Sequence, residues 1–216
     1  MPLNVDVVSV VVCPWCFIGK RRLEGALALY AQAHPGAPAP QVTWRPFKLN
    51  PDMPDEGMPR AEYARRKFGD RGGAVNERVS GVGREVGIPF AFDRIVRQPN
   101  TLAAHGLFEL AHAHGAQDAL VEALFRAFFL DGVDLTARAS LVALAAGAGL
   151  DRAAVEARLD DRNARELVAA EERRARELGI EGVPFFIFNG RVAVSGAHPA
   201  QSLLEAMRQA EAMPAE

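Results

Sequence analysis

Two cysteines stand three positions apart, Cys13 and Cys16, with Pro14 and Trp15 between them and a β-branched run directly before them. Val5 to Val12 is apolar except for Asp6 and Ser9, which predicts a buried strand. Behind the pair, Phe17, Leu23, Leu27 and Tyr30 recur at helical spacing, so a helix begins near the first cysteine. Pro14 suits its first turn, where a backbone N–H has no intrahelical partner in any case. A buried strand that passes straight into a helix across a C-x-x-C points to a small α/β unit.

The rest of the chain fits that unit. The helix should stop before the Pro35–Pro40 stretch, Gln41 to Pro46 reads as a second strand, and Phe47 to Pro59 as a turn-rich connection. From about Arg60 to Gly179 one helix follows another. Their stripes include Val75, Val79, Val82 and Val86, then Ala103, Leu107 and Leu110, then Leu120, Val121, Leu124, Phe125 and Phe128. Asn100 or Thr101 is the expected cap of the second of these, Thr136 the expected start of a further helix, and Glu171-Glu172-Arg173-Arg174 a solvated face. The period then changes: Val183 to Phe188 is a strand, Asn189-Gly190 a hairpin turn, Arg191 to Ser195 the returning strand, and Pro199 opens a last helix through Ala212. The order is β-α-β, a helical block, then β-β-α. The expected fold class is α/β, with residues 1–58 and 180–216 as one small α/β domain and 59–179 as an all-helical insertion.

The cysteine pair has three readings. A structural bridge across three residues closes almost no loop and adds little stability. A zinc site wants four ligands, and His34, His105, His112, His114 and His198 show no complementary spacing, so no metal is expected. Redox chemistry has a mechanical logic: at a helix N-terminus free N–H groups and the helix dipole favour the thiolate, which is the reactive species. The second thiol, one turn on, is placed to close a disulfide, and the two residues between them tune the pair. Gly182-Val183-Pro184 is a second signal, because a proline opening a strand after glycine marks special backbone geometry. A cis bond there exposes the Val183 main chain to whatever docks beside the thiols.

With both signals in place, the chain resembles the DsbA-like branch of the thioredoxin superfamily, and within it the FrnE-type proteins. The resemblance runs nearly end to end. It rests on Val11-Val12-Cys13-Pro14-Trp15-Cys16-Phe17-Ile18-Gly19-Lys20-Arg21-Arg22, Phe47-Lys48-Leu49-Asn50-Pro51, Asn100-Thr101 with Ala104-His105, Gly182-Val183-Pro184-Phe185-Phe186 and Ser195-Gly196-Ala197-His198-Pro199. It implies a thioredoxin-like domain with a helical insertion lidding the active site, Cys13 as nucleophile, Cys16 as resolving thiol and Pro184 as a cis-proline. Trp15, Val183, Pro184 and His198 would then form the substrate surface. Two positions depart from the pattern: Val10 stands where an acidic residue is usual, and His198 where glutamine is commoner. His198 either favours the thiolate or caps the last helix.

The implied activity is dithiol–disulfide exchange with protein or small-molecule thiols, with no cofactor beyond the cysteine pair and glutathione as the candidate co-substrate. A glutathione-dependent transferase or isomerase of the kappa or hydroxychromene-carboxylate type is the first alternative, although the reactive position there is typically serine. A non-enzymatic holdase or a thiolate metal sensor is the second. A formal net charge of -2 gives no basic footprint for nucleic acid. No apolar run reaches the roughly 20 residues of a membrane span, and Met1-Pro2-Leu3-Asn4 lacks a basic leader, so a cytoplasmic protein is expected. A role in thiol maintenance under oxidative stress suits that address. A homodimer is compatible with the sequence, which contains nothing that demands one.

Overall fold

The computed structural model describes residues 2–214, so positions 1, 215 and 216 of the expected thioredoxin-like unit lie outside the described residues. A four-stranded sheet is ordered β2-β1-β5-β6, from β1 (Asn4–Ser9), β2 (Gln41–Pro46), β5 (Phe185–Phe188) and β6 (Val192–Ser195). β1 and β2 run parallel, as a helical crossover requires, while β5 and β6 pair antiparallel. At the β5–β6 turn Asn189 and Gly190 both take positive φ (51° and 69°), the geometry for which Asn-Gly is suited. Helices α1 (Pro14–Ala33) and α9 (Ala200–Ala212) cover one face. The crossover chain carries β3 (Met58–Pro59), α2 (Arg60–Phe68), α3 (Gly72–Glu85), β4 (Arg97–Gln98), α4 (Leu102–Ala113), α5 (Gln117–Phe129), α6 (Arg138–Gly147), α7 (Arg152–Asp160) and α8 (Arg162–Glu177). The result is a thioredoxin fold with a helical insertion.

Both faces of β1 are buried, which explains its unbroken apolar character. Val5 and Val7 pack with Phe17, Phe186, Phe188, Leu203 and Met207. Val8 packs on the opposite face with Phe47, Ala175 and Ile180, under α8. The first of these clusters continues without a break into the insertion through Leu120, Leu124, Phe125 and Phe128. Phe17, in the first turns of α1, stacks on Phe125 of α5 at 5.1 Å between ring centroids. The helix that carries the cysteines is thus seated partly on the insertion.

The edge strand β2 is closed by a side chain. Gln117, at the start of α5, accepts from Trp44 N (2.8 Å) through Oε1 and donates to Trp44 O (3.1 Å) through Nε2. It offers the strand the donor and acceptor that a neighbouring strand would supply, so the buried backbone groups stay paired.

Several expectations need correction. The first strand stops at Ser9, not Val12, because pairing with β2 ends at Pro46 and the chain turns through a Cys13 N–H to Val10 O bond (3.1 Å). Val11 and Val12 are apolar because they are packed, not because they pair. Thr136 does not start a helix: its N–H and hydroxyl both donate to Asp134, and α6 begins at Arg138. Thr101 is the cap residue of α4 by position, yet the Asn100 carboxamide accepts from Leu102 N. The buried stripe of α4 is Ala104, His105, Leu107, Phe108 and Ala111, while Ala103 and Leu110 are half-buried. Glu172 is not solvated; α8 buries it beside Arg176, whose guanidinium also lies over the Phe47 ring. A two-stranded ribbon, β3–β4, interrupts the otherwise helical insertion.

Candidate active site

The turn at Val10–Val12 delivers Cys13 to the cap position of α1 in extended conformation (φ -100°, ψ 117°). Its carbonyl accepts from Cys16 N and Phe17 N, closing the first turn, and Pro14 sacrifices no hydrogen bond there. Cys13 keeps 7% of its surface exposed and Cys16 none, so only the first sulfur can meet a partner from solution. Cys13 Sγ lies 3.9 Å from Val183 O, and the Val183–Pro184 peptide is cis. Pro184 is buried and Val183 half-buried.

Gly19 makes that approach possible. A Cβ at Gly19 would sit 2.8 Å from Pro184 Cγ and 3.2 Å from Phe186 Cζ. Without a side chain, α1 can lie directly against the proline and β5. A glycine in a helix interior costs stability relative to alanine, and that cost is the signal a sequence offers for such a contact.

The two thiols are driven apart electrostatically. Cys13 is held below the ordinary thiol range, chiefly by the hydrogen bond from the Cys16 thiol, with the Cys16 and Trp15 amides and the charge of Lys67 adding to it against burial. Burial pushes Cys16 well above that range, and the hydrogen bond and negative charge of Cys13 push the same way. Thiolate therefore forms first at Cys13.

Lys67 comes from α2 of the insertion, where its Nζ donates to Tyr63 Oη (2.7 Å) and lies over the Tyr63 and Phe68 rings. Beside it is a groove of about 410 Å³ lined by Leu49, Asn50, Met53, Tyr63, Arg66 and Lys67. Neither Lys67 nor Gly19 stood out for a role in sequence reasoning. The only local hint for Lys67 is its rarity, as one of three lysines in the chain. Lys20 is fully buried on α1 and donates to Glu24 (2.5 Å) and to Asp118 of α5 (3.0 Å), while Trp44 Nε1 donates to the other Asp118 oxygen. This network fastens the cysteine helix to the insertion.

The structure brings Cys13, Cys16, Val183 and Pro184 together. Trp15 is half-buried and packs against the core cluster. Val10 is buried among apolar groups and contributes only its main chain. His198 is exposed; one ring nitrogen contacts Ser195 O at 3.0 Å, and α9 has no side-chain cap, so the capping role does not hold. His112 and His105 line a separate cavity of about 170 Å³ with Trp44, Phe108 and Arg158. Among the described residues, no three His, Cys, Asp or Glu side chains converge as metal ligands, and no helix is long and apolar enough to cross a membrane.

His105 is fully buried with neither ring nitrogen hydrogen-bonded, and burial, helped by the charge of Lys48, pushes its pKa down to about 3. In the unfolded chain the imidazole titrates near 6.5. Below that pH the unfolded state binds a proton that the folded state refuses. Stability is complete above about pH 6.5 and falls toward pH 3, at about 1.4 kcal/mol per pH unit. Denaturant unfolding should therefore show about 2 kcal/mol less stability at about pH 5 than at about pH 7. His105→Leu should flatten that difference; an unaltered slope in the variant would refute the assignment.

The DsbA-like thioredoxin domain family matches residues 4–208. The chain is similar to a probable DsbA oxidoreductase of Streptomyces coelicolor, with 34% identity, coverage of 99% of this chain and 93% of that one, and a TM-score of 0.87. It is 25% identical over 198 residues to the Bacillus subtilis protein YwbO, covering 91% of this chain and 92% of the relative. The cytosolic disulfide reductase DsbM of Pseudomonas aeruginosa, solved with GSH, shares the fold at 18% identity, with 97% and 96% of the two chains covered and a TM-score of 0.59.

Proposed function

Because the chain belongs to the DsbA-like thioredoxin domain family, we propose that it is a thiol–disulfide oxidoreductase exchanging disulfides with protein or small-molecule thiols. The observation that carries this reading is the asymmetry of the two sulfurs: Cys13 is acidified and keeps a small opening to the surface, while Cys16 is sealed and held protonated. Cys13 thiolate attacks a substrate sulfur, the substrate S–S bond breaks, and the departing thiolate takes up a proton. Cys16 then loses its proton and attacks Cys13, the mixed disulfide breaks, and the second substrate thiol leaves. Oxidised enzyme and reduced substrate result, and every step reverses with a suitable partner. Val183 and Pro184 border Cys13 and Trp15 flanks it, so these residues would form the docking edge for substrate. No metal or cofactor takes part in this sequence.

A second observation favours glutathione as the thiol partner. The groove beside Lys67, whose charge acts on Cys13, carries Arg66 as well, two cations suited to the carboxylates of a small acidic thiol, and DsbM, of the same fold, was solved with GSH. A role in cytoplasmic thiol maintenance follows from pairing with such a reductant.

The test is insulin reduction by dithiothreitol with the wild type and Cys16→Ser. The wild type should accelerate precipitation of the insulin B chain. Reduced Cys16→Ser mixed with insulin in the absence of dithiothreitol should accumulate a covalent adduct on Cys13, visible as a mass increase that added dithiothreitol removes. Full turnover by Cys16→Ser with glutathione would move the assignment to a monothiol transferase or isomerase. Aggregation suppression that survives loss of both cysteines would move it to a holdase.

A further inference from the structure

Ser9 is the last residue of β1, directly before the turn that leads to Cys13. Its side chain is 2% exposed, and its hydroxyl has no hydrogen-bond partner. Its backbone is fully used, with the carbonyl accepting from Phe47 N at 2.9 Å. A buried hydroxyl without a partner leaves its desolvation uncompensated, so the position invites a reason in another state of the protein.

The surroundings supply that state. The Cys13 N–H to Val10 O bond turns the chain from the end of β1 into the first turn of α1, and the Ser9 hydroxyl lies within reach of the fully buried Cys16 thiol, whose ionisation it favours. The groups acting on the Cys16 sulfur are Cys13 in its own turn and, from the end of β1, the Ser9 hydroxyl and the Val10 amide. Lys67 of α2 and the amides of Trp15 and Cys16 act on Cys13. None of these groups is a carboxylate able to take the Cys16 proton. Burial strongly opposes charge on Cys16, yet Cys16 must ionise to resolve a mixed disulfide.

Resting on the dithiol reading above, we propose that Ser9 is the positioning residue of the resolving thiol: its unpartnered hydroxyl donates to the Cys16 sulfur as that sulfur takes on negative charge. In the resolving step Cys16 releases its proton to solvent and attacks the Cys13 sulfur. The Cys13–substrate bond breaks, the departing thiolate takes up a proton, and the Cys13–Cys16 bond forms. A hydroxyl that is idle beside a thiol becomes a charge-assisted donor to a thiolate. Oxidised protein, with the sulfur in a disulfide, returns Ser9 to its idle state.

The experiment follows single turnover of the reduced protein with dithionitrobenzoate disulfide, which releases one coloured thiolate when Cys13 attacks and a second when Cys16 resolves. Both phases are measured against pH for the wild type, Ser9→Ala and Ser9→Thr. Ser9→Ala should slow the second release about tenfold near neutral pH and shift its pH midpoint upward, the scale expected for a lost hydrogen bond to a charged group. Ser9→Thr, which keeps the hydroxyl, should recover the rate. Removal of an unpaired buried hydroxyl should not lower the melting temperature of the reduced protein. A second phase with unchanged rate and midpoint in Ser9→Ala overturns the proposal, as does a lower melting temperature with both phases slowed alike. A wild type that releases only one thiolate refutes the dithiol reading itself, and the Ser9 assignment with it.

Discussion

Replacing Cys13 with serine is expected to lower the rate of insulin reduction by a factor on the order of 10³ or more, down to the dithiothreitol background. The change is nearly isosteric, so the fold should survive, and circular dichroism should overlay that of the wild type. The chemistry should not survive. A serine hydroxyl is negligibly ionised where the Cys13 sulfur is a thiolate, and an alkoxide is a poor nucleophile toward sulfur. Cys16 cannot substitute, because it is fully buried and its thiol is pushed well above the ordinary range. The same asymmetry should appear in the wild type as alkylation of Cys13 alone at neutral pH. Residual activity within tenfold of wild type would show that the cysteine pair is not the reacting centre.

Phe125→Ala should produce the largest loss of stability among single changes in the insertion, about 3–5 kcal/mol. Phe125 is fully buried, stacks on Phe17 at 5.1 Å and meets Trp44 edge-on at 6.4 Å. Its removal opens a hole between α5, the cysteine helix and β2 at once. For a chain of this size the melting temperature should fall by about 7–11 °C. Thiol reactivity should fall with it if Lys67, carried by the same insertion, loses its place opposite Cys13. Thermal melting together with Cys13 alkylation rate checks both consequences, and a loss under about 1 kcal/mol would show that the two regions do not share one core.

The architecture was legible where a residue's role is local. The order of strands and helices around the cysteines, the Asn189-Gly190 turn and the aromatic stripe of α5 all express short-range periodicity or turn chemistry. The ends of β1 were not legible, because Val11 and Val12 have the composition of a strand and are buried for packing alone. The cysteine pair could be singled out because its spacing is a chemical statement in itself. Gly19, Lys67 and Ser9 could not, since each acquires meaning only from a partner brought by tertiary structure: Pro184, the Cys13 thiol and the buried Cys16 sulfur. His105 belongs to the same class, for an isolated histidine in a helix says nothing about whether its nitrogens will find partners.

The pairing of Gln117 with both main-chain groups of Trp44 bears on how far this chain can be trimmed. A minimal version lacking the helices would expose the outer rim of β2 as a row of free amides and carbonyls, next to Trp44 stripped of its cover. Such a rim recruits strands from other molecules. One carboxamide thus acts as a substitute fifth strand, and the insertion serves as the fold's protection against self-association.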